Sequence, residues 1–331
     1  MLPLPEALPD VLPTERLTGS GMPVPQVRAE LRRIADVRNI FTVVALWVAT
    51  IGLISATVWI GHPLAYLAAF VFMGPIFARF AILGHEAAHR LLFSKKRWND
   101  VIGRWVLSYP GFVPFDVYRR SHFAHHREEF GPSEPDLQLY SGYPITPASW
   151  RRKLVRDALG ISGWKNLKPL LLAVRSKATR PVAVRILTAQ AVLLAVCIAL
   201  GRWWLYPLLW LGPWMTGWRV INRLRAIAEH GGMMRSRDRR LTTHHVRQSR
   251  LARFWMVPYN TGWHLAHHVD MGVTWRNLPA LHRELTAAGW ITPALEYPSY
   301  RAFWRQCSSR TEAEVAAAAP LLGAVVPARE G

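Results

Sequence analysis

The chain has 331 residues, 51% of them hydrophobic and 16 of them tryptophan, and its apolar residues are gathered into blocks, which excludes the pattern of an ordinary soluble enzyme. A formal charge of +20 would point to nucleic acid in a soluble chain, but the basic residues sit between apolar blocks with no recognition motif beside them, so no nucleic-acid partner is expected. The two cysteines, Cys197 in an apolar run and Cys307 near the end, exclude a disulfide framework and a CxxC pair.

In chain order, the N-terminal stretch is proline-rich and polar and lacks a basic run directly before an apolar core, so no cleaved signal peptide is expected. Within residues 24–39, Val24, Val27, Leu31 and Ile34 are spaced for one side of a short basic amphipathic helix at the membrane surface. Ile40 to Ile60 carries no charge, and Pro63 to Leu83 follows with only Arg79 charged; the turn falls at Gly61, His62 and Pro63. Each block suits a hydrocarbon core roughly 30 Å thick, which predicts a first transmembrane hairpin.

The second block runs directly into "GHEAAHRLLF". Val101 to Phe115, interrupted by Pro110, Gly111 and Pro114, reads as interfacial or partly buried. "VYRRSHFAHHREEF" reads as a helix ended by "GPSEPD", and Trp150 to Pro181 as a cytoplasmic amphipathic region. Val182 to Leu200 and Trp203 to Trp218, separated by Gly201 and Arg202, predict a second hairpin. "INRLRAIAEHGG", a basic linker, "NTGWHLAHH" and the short helix of "WRNLPALHRELTAAGW" complete the chain's ordered part.

The expected fold is an all-α integral membrane protein, with four transmembrane helices in two hairpins and a cytoplasmic histidine-rich helical cap. Its expected parts are an N-terminal segment with an amphipathic helix (1–39), one catalytic domain (40–309) and a flexible tail (310–331). Lysine and arginine crowd the long segments and leave only Arg202 in the two short hairpin loops. The positive-inside rule then puts the cap and both termini on the cytoplasmic side of a bacterial inner or plasma membrane, against anionic lipid headgroups.

Nine of the 13 histidines are candidates, eight of them in groups with ligand spacing and the ninth suggestively placed. His85 and His89 lie one helical turn apart, and His122, His125 and His126 form HxxHH. His264, His267 and His268 repeat HxxHH, and spacing of i, i+3, i+4 brings three side chains to one side of a helix. His230 follows a long apolar helix in "AEHGG". Imidazole suits iron, zinc, copper and nickel, and eight box ligands exceed what one tetrahedral zinc needs, so two metals are expected. A rival reading takes "HEAAH" as the HExxH of a membrane zinc metallopeptidase, with Glu86 handling a water proton; it leaves both HxxHH triplets without a role. A metal-binding transporter or sensor is a second rival, but the histidines collect at one face instead of running through the helices.

"HEAAH", "HFAHH" and "HLAHH", interleaved with apolar blocks from about Phe41 to His282, resemble the three histidine boxes of the integral-membrane fatty acid desaturase and hydroxylase superfamily. "EPD" after the second box and "WRNLPALH" after the third resemble the desaturases most. The resemblance implies His85, His89, His122, His125, His126, His230, His264, His267 and His268 as ligands of two iron ions, with dioxygen as co-substrate. It implies desaturation of an acyl chain carried by a lipid, coenzyme A or acyl-carrier protein, with hydroxylation of an acyl, alkyl, sterol or carotenoid substrate as the alternative. Electrons would come from a separate ferredoxin, rubredoxin or similar donor with its reductase, because the chain has no cysteine array, dinucleotide fingerprint or haem extension.

Around such a site, Glu86, Glu229, Asp136 or Asp270 is expected to orient a ligand imidazole, each with a local arginine pair as the competing role. Asn260 would hold a bound water or cap a helix. Arg119, Arg120 and Arg127 are expected at the membrane surface, or on a phosphate. Trp105, Tyr109, Phe112, Phe115, Trp214, Trp218 and Trp263 are candidate walls of an acyl tunnel. His244 and His245 are expected in a solvated segment, His62 at the opposite face, and His282 in a structural or supporting role.

Overall fold

The computed structural model describes residues 1–314, so the greater part of the expected flexible tail, from 315 on, lies outside the described residues. Helix α1 (Pro25–Leu31) is short, and α2 (Asp36–Ile60) follows it. Phe41, Val44, Val48 and Ile51 stay exposed along α2, as a lipid-facing side requires. Gly61, left-handed at φ 65°, ends α2, and α3 (Pro63–Ala88) begins at once with a proline in its first turn, where a missing N–H leaves nothing unsatisfied. The expected first hairpin is therefore formed, and α3 becomes the central element, buried along most of its second half.

Beyond α3 come α4 (Lys96–Ile102), continued by a π-helical stretch to Ser108, and α5 (Phe115–Glu128). Next are α6 (Pro147–Ala158), α7 (Ile161–Leu172) and α8 (Arg180–Ala199). Among the described residues three helical stretches are long and apolar enough to cross a membrane: one within Pro25–Ile60, Pro63–Ala88 and Arg180–Ala199. The expectation of four such helices in two hairpins is overturned here. Trp203 to Trp218 forms a π-helical turn at Pro207–Leu211 and a short helix at Gly212–Met215, then breaks at Thr216 (φ −117°, ψ −86°) before α9 (Gly217–His230). Pro207 and Pro213 donate no N–H and crowd the preceding turn, so this apolar run does not sustain one continuous helix.

The broken segment is instead tied to its neighbours. The indole N–H groups of Trp210 and Trp214 donate to Pro110 O (3.1 Å) and Gly111 O (2.9 Å). Gly74 of α3 faces α9 so closely that a Cβ there would meet Ile221 at 3.0 Å, which lets α9 cross α3 and carry His230 to the cap.

The cap closes with β1 (His245–Val246), α10 (Arg250–Trp255), α11 (His264–Val269), α12 (Leu278–Ala287) and β2 (Glu296–Tyr297), where β1 and β2 pair in parallel. Val27 and Leu31 of α1 join a buried cluster with Leu265, Val269, Leu281 and Leu285. The apolar side of the N-terminal helix, expected on the membrane surface, therefore packs on the cap. His244 and His245 also depart from expectation: they are 4% and 6% exposed. His244 Nε2 donates to Gly231 O (2.7 Å) and His245 meets Glu296 at 3.2 Å, so strand pairing buries a segment that its arginine-rich surroundings make look solvated.

Candidate metal centre

Three devices bring the histidine segments together. Asn99 of α4 accepts the N–H groups of Leu92 and Phe93 (3.2 Å each) and donates to Ala87 O (2.8 Å), fixing the chain reversal after His89. Arg119 of α5 donates to Ala88 O (2.9 Å) and Ala87 O (3.0 Å), satisfying carbonyls that the end of α3 leaves open, and its other face meets Asp100. His230, the last residue of α9, donates Nδ1–H to Thr242 O at 2.8 Å.

The nine histidines then fall into two adjoining sets. The ligand nitrogens of His85, His89, His122, His126 and His267 all lie within 4.8 Å of one another, as do those of His125, His230 and His268. His264 joins the second set, with its Nε2 3.1 Å from that of His230 and 3.0 Å from that of His268. The sets touch through His126 and His268, whose ring centroids are 4.4 Å apart.

The second set is braced from outside. His125 Nδ1 meets Glu134 Oε1 at 2.9 Å and the Tyr140 hydroxyl at 3.2 Å, and His268 Nδ1 meets Glu129 Oε1 at 2.5 Å. A neutral imidazole that donates from Nδ1 has its lone pair on Nε2, so each brace also aims a lone pair inward. Inward-facing nitrogens 2.9 to 3.1 Å apart, as in His89–His122, His122–His126 and His126–His267, cannot all find a hydrogen between them. Cations held by these sets would resolve that conflict, and an all-imidazole donor set suits a transition metal.

Protonation points the same way. Burial, reinforced by neighbouring imidazoles, holds His122, His126, His264, His267 and His268 well below the ordinary histidine range. His89 and His230 are lowered by burial to about 3. These rings are neutral and ligand-competent at neutral pH. His125 differs: burial opposes its charge, but the Glu134 carboxylate and nearby acids outweigh burial and raise its pKa.

His85 also lines a cavity of about 380 Å³ together with Tyr118. Phe77, Phe80, Leu107, Phe112 and Trp214 form apolar wall, and Asn166, Arg219, Asn222 and Arg225 add polar groups from α7 and α9. Tyr118 stacks on His122 with centroids 5.4 Å apart, and burial raises its pKa, so the phenol keeps its proton.

The profile of the fatty acid desaturase family matches residues 57–304, most of the chain and all nine of these histidines. The chain belongs to the fatty acid desaturase family. It is 24% identical over 234 residues to a protein named dihydrorhizobitoxine desaturase from Bradyrhizobium elkanii, covering 65% of each chain. It is 27% identical over 218 residues to an sn-1 oleoyl-lipid 12-desaturase from Anabaena variabilis, covering 56% of this chain and 58% of that one. It is 32% identical over 104 residues to an sn-1 acyl-lipid omega-3 desaturase (ferredoxin) from Nostoc, covering 31% of this chain and 26% of that one. The chain thus aligns with less than two thirds of each of these relatives' lengths.

Several supporting roles in this desaturase-family chain differ from expectation. Asp270 touches no histidine; Arg28 binds its carboxylate through Nε (2.6 Å) and Nη2 (3.0 Å), the competing arginine pair. Glu86 accepts the backbone N–H of Trp275 at 3.0 Å, so the residue that a zinc peptidase would aim at water instead anchors the segment after the third box. Glu229 binds Arg225 at 2.8 Å and stands 3.6 Å from His264 Nδ1, beyond hydrogen-bond reach. Asp136 lies beside His125 and Glu134 without bonding the ring, and its N–H binds Glu134 at 3.1 Å. Asn260 neither caps α11 nor faces the metal site: it is left-handed at φ 62° and its amide donates to Trp275 O at 3.2 Å. Arg119 works inside the cap and not at the membrane surface. Of the candidate tunnel walls, Phe112, Trp214 and Trp218 line the cavity, whereas Trp105 is 44% exposed and Trp263 lies under Arg253. Tyr109 and Phe115 are buried outside the cavity lining.

The residues that sequence reasoning missed are Glu129, Glu134, Tyr140 and Tyr118. Glu134 is the first residue of "EPD", and Glu129 lies three residues after His126, just past the end of the helix that carries the second box.

Proposed function

We propose that this chain is an oxygen-dependent diiron desaturase that introduces a carbon–carbon double bond into an acyl chain. The observation that carries this reading is the pair of adjoining all-histidine sets, one of which, through His85, lines a mixed apolar and polar cavity. His85, His89, His122, His126 and His267 would hold one iron ion, and His125, His230, His264 and His268 the other. With dioxygen as co-substrate, two irons supply the oxidising power to remove two hydrogens from neighbouring methylenes, which no side chain has the potential to do.

The protein's part is position and exclusion. Phe77, Phe80, Leu107, Phe112 and Trp214 strip water from an acyl chain and hold its methylenes toward His85. Arg219, Asn222 and Asn166 offer donors to a polar group attached to that chain, so the substrate is an amphiphile such as an acyl lipid or acyl thioester. Glu129, Glu134 and the Thr242 carbonyl keep His268, His125 and His230 in the tautomer that presents Nε2 inward.

Conversion of –CH2–CH2– to –CH=CH– with reduction of one O2 to two waters takes two further electrons and two protons. A ferredoxin or rubredoxin with its reductase would deliver the electrons; the name of the Nostoc relative includes ferredoxin. Residues 40–309 would act as one catalytic domain and 1–39 as a segment packed on it, in a bacterial inner or plasma membrane with the cap on the cytoplasmic side.

The test is reconstitution of the iron-loaded protein with a ferredoxin, its reductase and candidate acyl substrates, with products weighed by mass spectrometry. Loss of two hydrogens is expected. Gain of one oxygen would reassign the protein as a hydroxylase, and one zinc per chain in place of two irons would end the diiron reading.

A further inference from the structure

A second cavity, of about 560 Å³, lies between α2 and α3 and shares no lining residue with the one beside His85. Its α3 wall is Phe72, Pro75, Ile76 and Arg79, spaced along one face of the helix, whereas Phe77, Phe80, Ala81 and Gly84 face the other cavity. Across from it, Ala45, Ala49 and Leu53 of α2 form a wall of small and branched apolar side chains. Ala45 and Ala49 are exposed, so the groove opens sideways from the helix pair, toward the hydrocarbon of a bilayer.

One end of this apolar groove is cationic. Arg79 is the only charged residue between Pro63 and Leu83. Its Nη1 donates to Pro75 O (2.8 Å) and Phe254 O (3.0 Å), and its guanidinium lies 4.9 Å from the centre of the Phe254 ring. Its Nε and Nη2 have no hydrogen-bond partner, and it forms no ion pair with a carboxylate, among the described residues. Tyr259 lines the same end, and Thr42, also in the lining, accepts from Arg276 Nη2 at 2.8 Å, which brings to the rim a second guanidinium that has no carboxylate partner among the described residues. A half-buried arginine inside a membrane helix is costly unless an anion or polar group compensates it.

We propose that this groove is a binding site for one anionic phospholipid. The headgroup phosphate takes the free guanidinium nitrogens of Arg79, with Arg276 and the Tyr259 hydroxyl beside it, and one acyl chain lies along Ala45, Ala49, Leu53 and Phe72. Charge complementarity selects this occupant: a zwitterionic headgroup places its own cation beside two guanidiniums, and a second protein chain would have to bring a carboxylate to the depth of Arg79. The site is separate from the catalytic cavity, so the lipid held here is a structural partner and not the substrate.

The full chain, purified in mild detergent, is titrated with phosphatidylglycerol or phosphatidylcholine, and bound lipid is counted by native mass spectrometry. The choline cation, set beside two guanidiniums that phosphatidylglycerol meets with net negative charge, predicts one phosphatidylglycerol bound about tenfold more tightly than phosphatidylcholine. Arg79→Gln is expected to erase that preference. Ala49→Phe, which keeps Arg79 and fills the groove, is expected to weaken both lipids. Equal binding of the two lipids by the unaltered chain overturns the proposal, and so does an unchanged preference in Arg79→Gln or a stronger affinity for free fatty acid. Metal content checks the fold of each variant; if Arg79→Gln does not fold, unchanged phosphatidylglycerol binding by Ala49→Phe overturns the proposal on its own.

Discussion

The two histidine sets use the same donor atoms but are held in place by different means. In the four-histidine set, the outward nitrogens of His125, His230 and His268 bond Glu134, the Thr242 carbonyl and Glu129. In the five-histidine set no outward nitrogen bonds a carboxylate or carbonyl among the described residues. Packing does that work instead: Tyr118 stacks on His122, and Phe123 lies 5.4 Å from the centre of His89. A carboxylate on the far nitrogen fixes the tautomer and makes the inward lone pair more basic, whereas an aromatic neighbour fixes only the ring plane. One half of the centre is therefore built for affinity, and the other, which contains cavity-lining His85, keeps its ligands free to adjust.

The largest expected effect comes from removing a ligand. His268→Ala should reduce bound iron from two per chain to one or fewer, measured by elemental analysis, and an undiminished iron count would remove His268 from the ligand set. Glu129→Gln is a milder cut: it weakens the brace on His268 and the pair with Arg239, and should lower affinity at one site by about 10 to 100-fold while sparing the other. Equal weakening of both sites in a competitive chelator titration would erase the distinction between the sets.

Acidity separates the sets by a smaller factor. His125 has its pKa raised above the ordinary histidine value, so below that pKa it carries a proton that metal must displace. His89, lowered to about 3, stays neutral throughout the neutral range. Apparent affinity at the four-histidine site should fall about tenfold per pH unit below the His125 pKa, while the five-histidine site stays flat between about pH 5 and 8. Metal titrations across that window that find parallel slopes would contradict the role given to Glu134. The smallest effect is expected from Asp270→Asn, which weakens the pair with Arg28 without removing a hydrogen bond to any ligand histidine. It should cost about 1 to 3 kcal/mol in unfolding free energy and leave iron content unchanged, read by melting temperature and elemental analysis together.

Much of this architecture was legible in the sequence. The charge-free run of α2, the glycine at 61 and the proline at 63 dictate a hairpin through backbone chemistry alone, and the box spacing identifies eight of the nine clustered histidines, because i, i+3 and i+4 positions share a helix face whatever the helix packs against; His230, outside any box, was reached as a ligand only through the family resemblance. The break between Trp203 and Trp218 was visible as two prolines, yet hydropathy, which counts apolar residues and not N–H donors, favoured a continuous span. The supporting residues were harder to identify. Glu86 and Asp270 had the right chemistry beside the right histidines, but a backbone N–H from Trp275 and a guanidinium from Arg28 reached them first.

Spacing thus determined which of the box histidines are clustered. Only the tertiary structure decided how they divide. His125 parts from His122 and His126 within one box, and His267 from His264 and His268 within another. That division depends on the angles at which α3, α5, α9 and α11 meet, and those angles are set by Asn99, Arg119 and the Gly74 crossing, contacts that join residues far apart in the chain and leave no periodic trace in it.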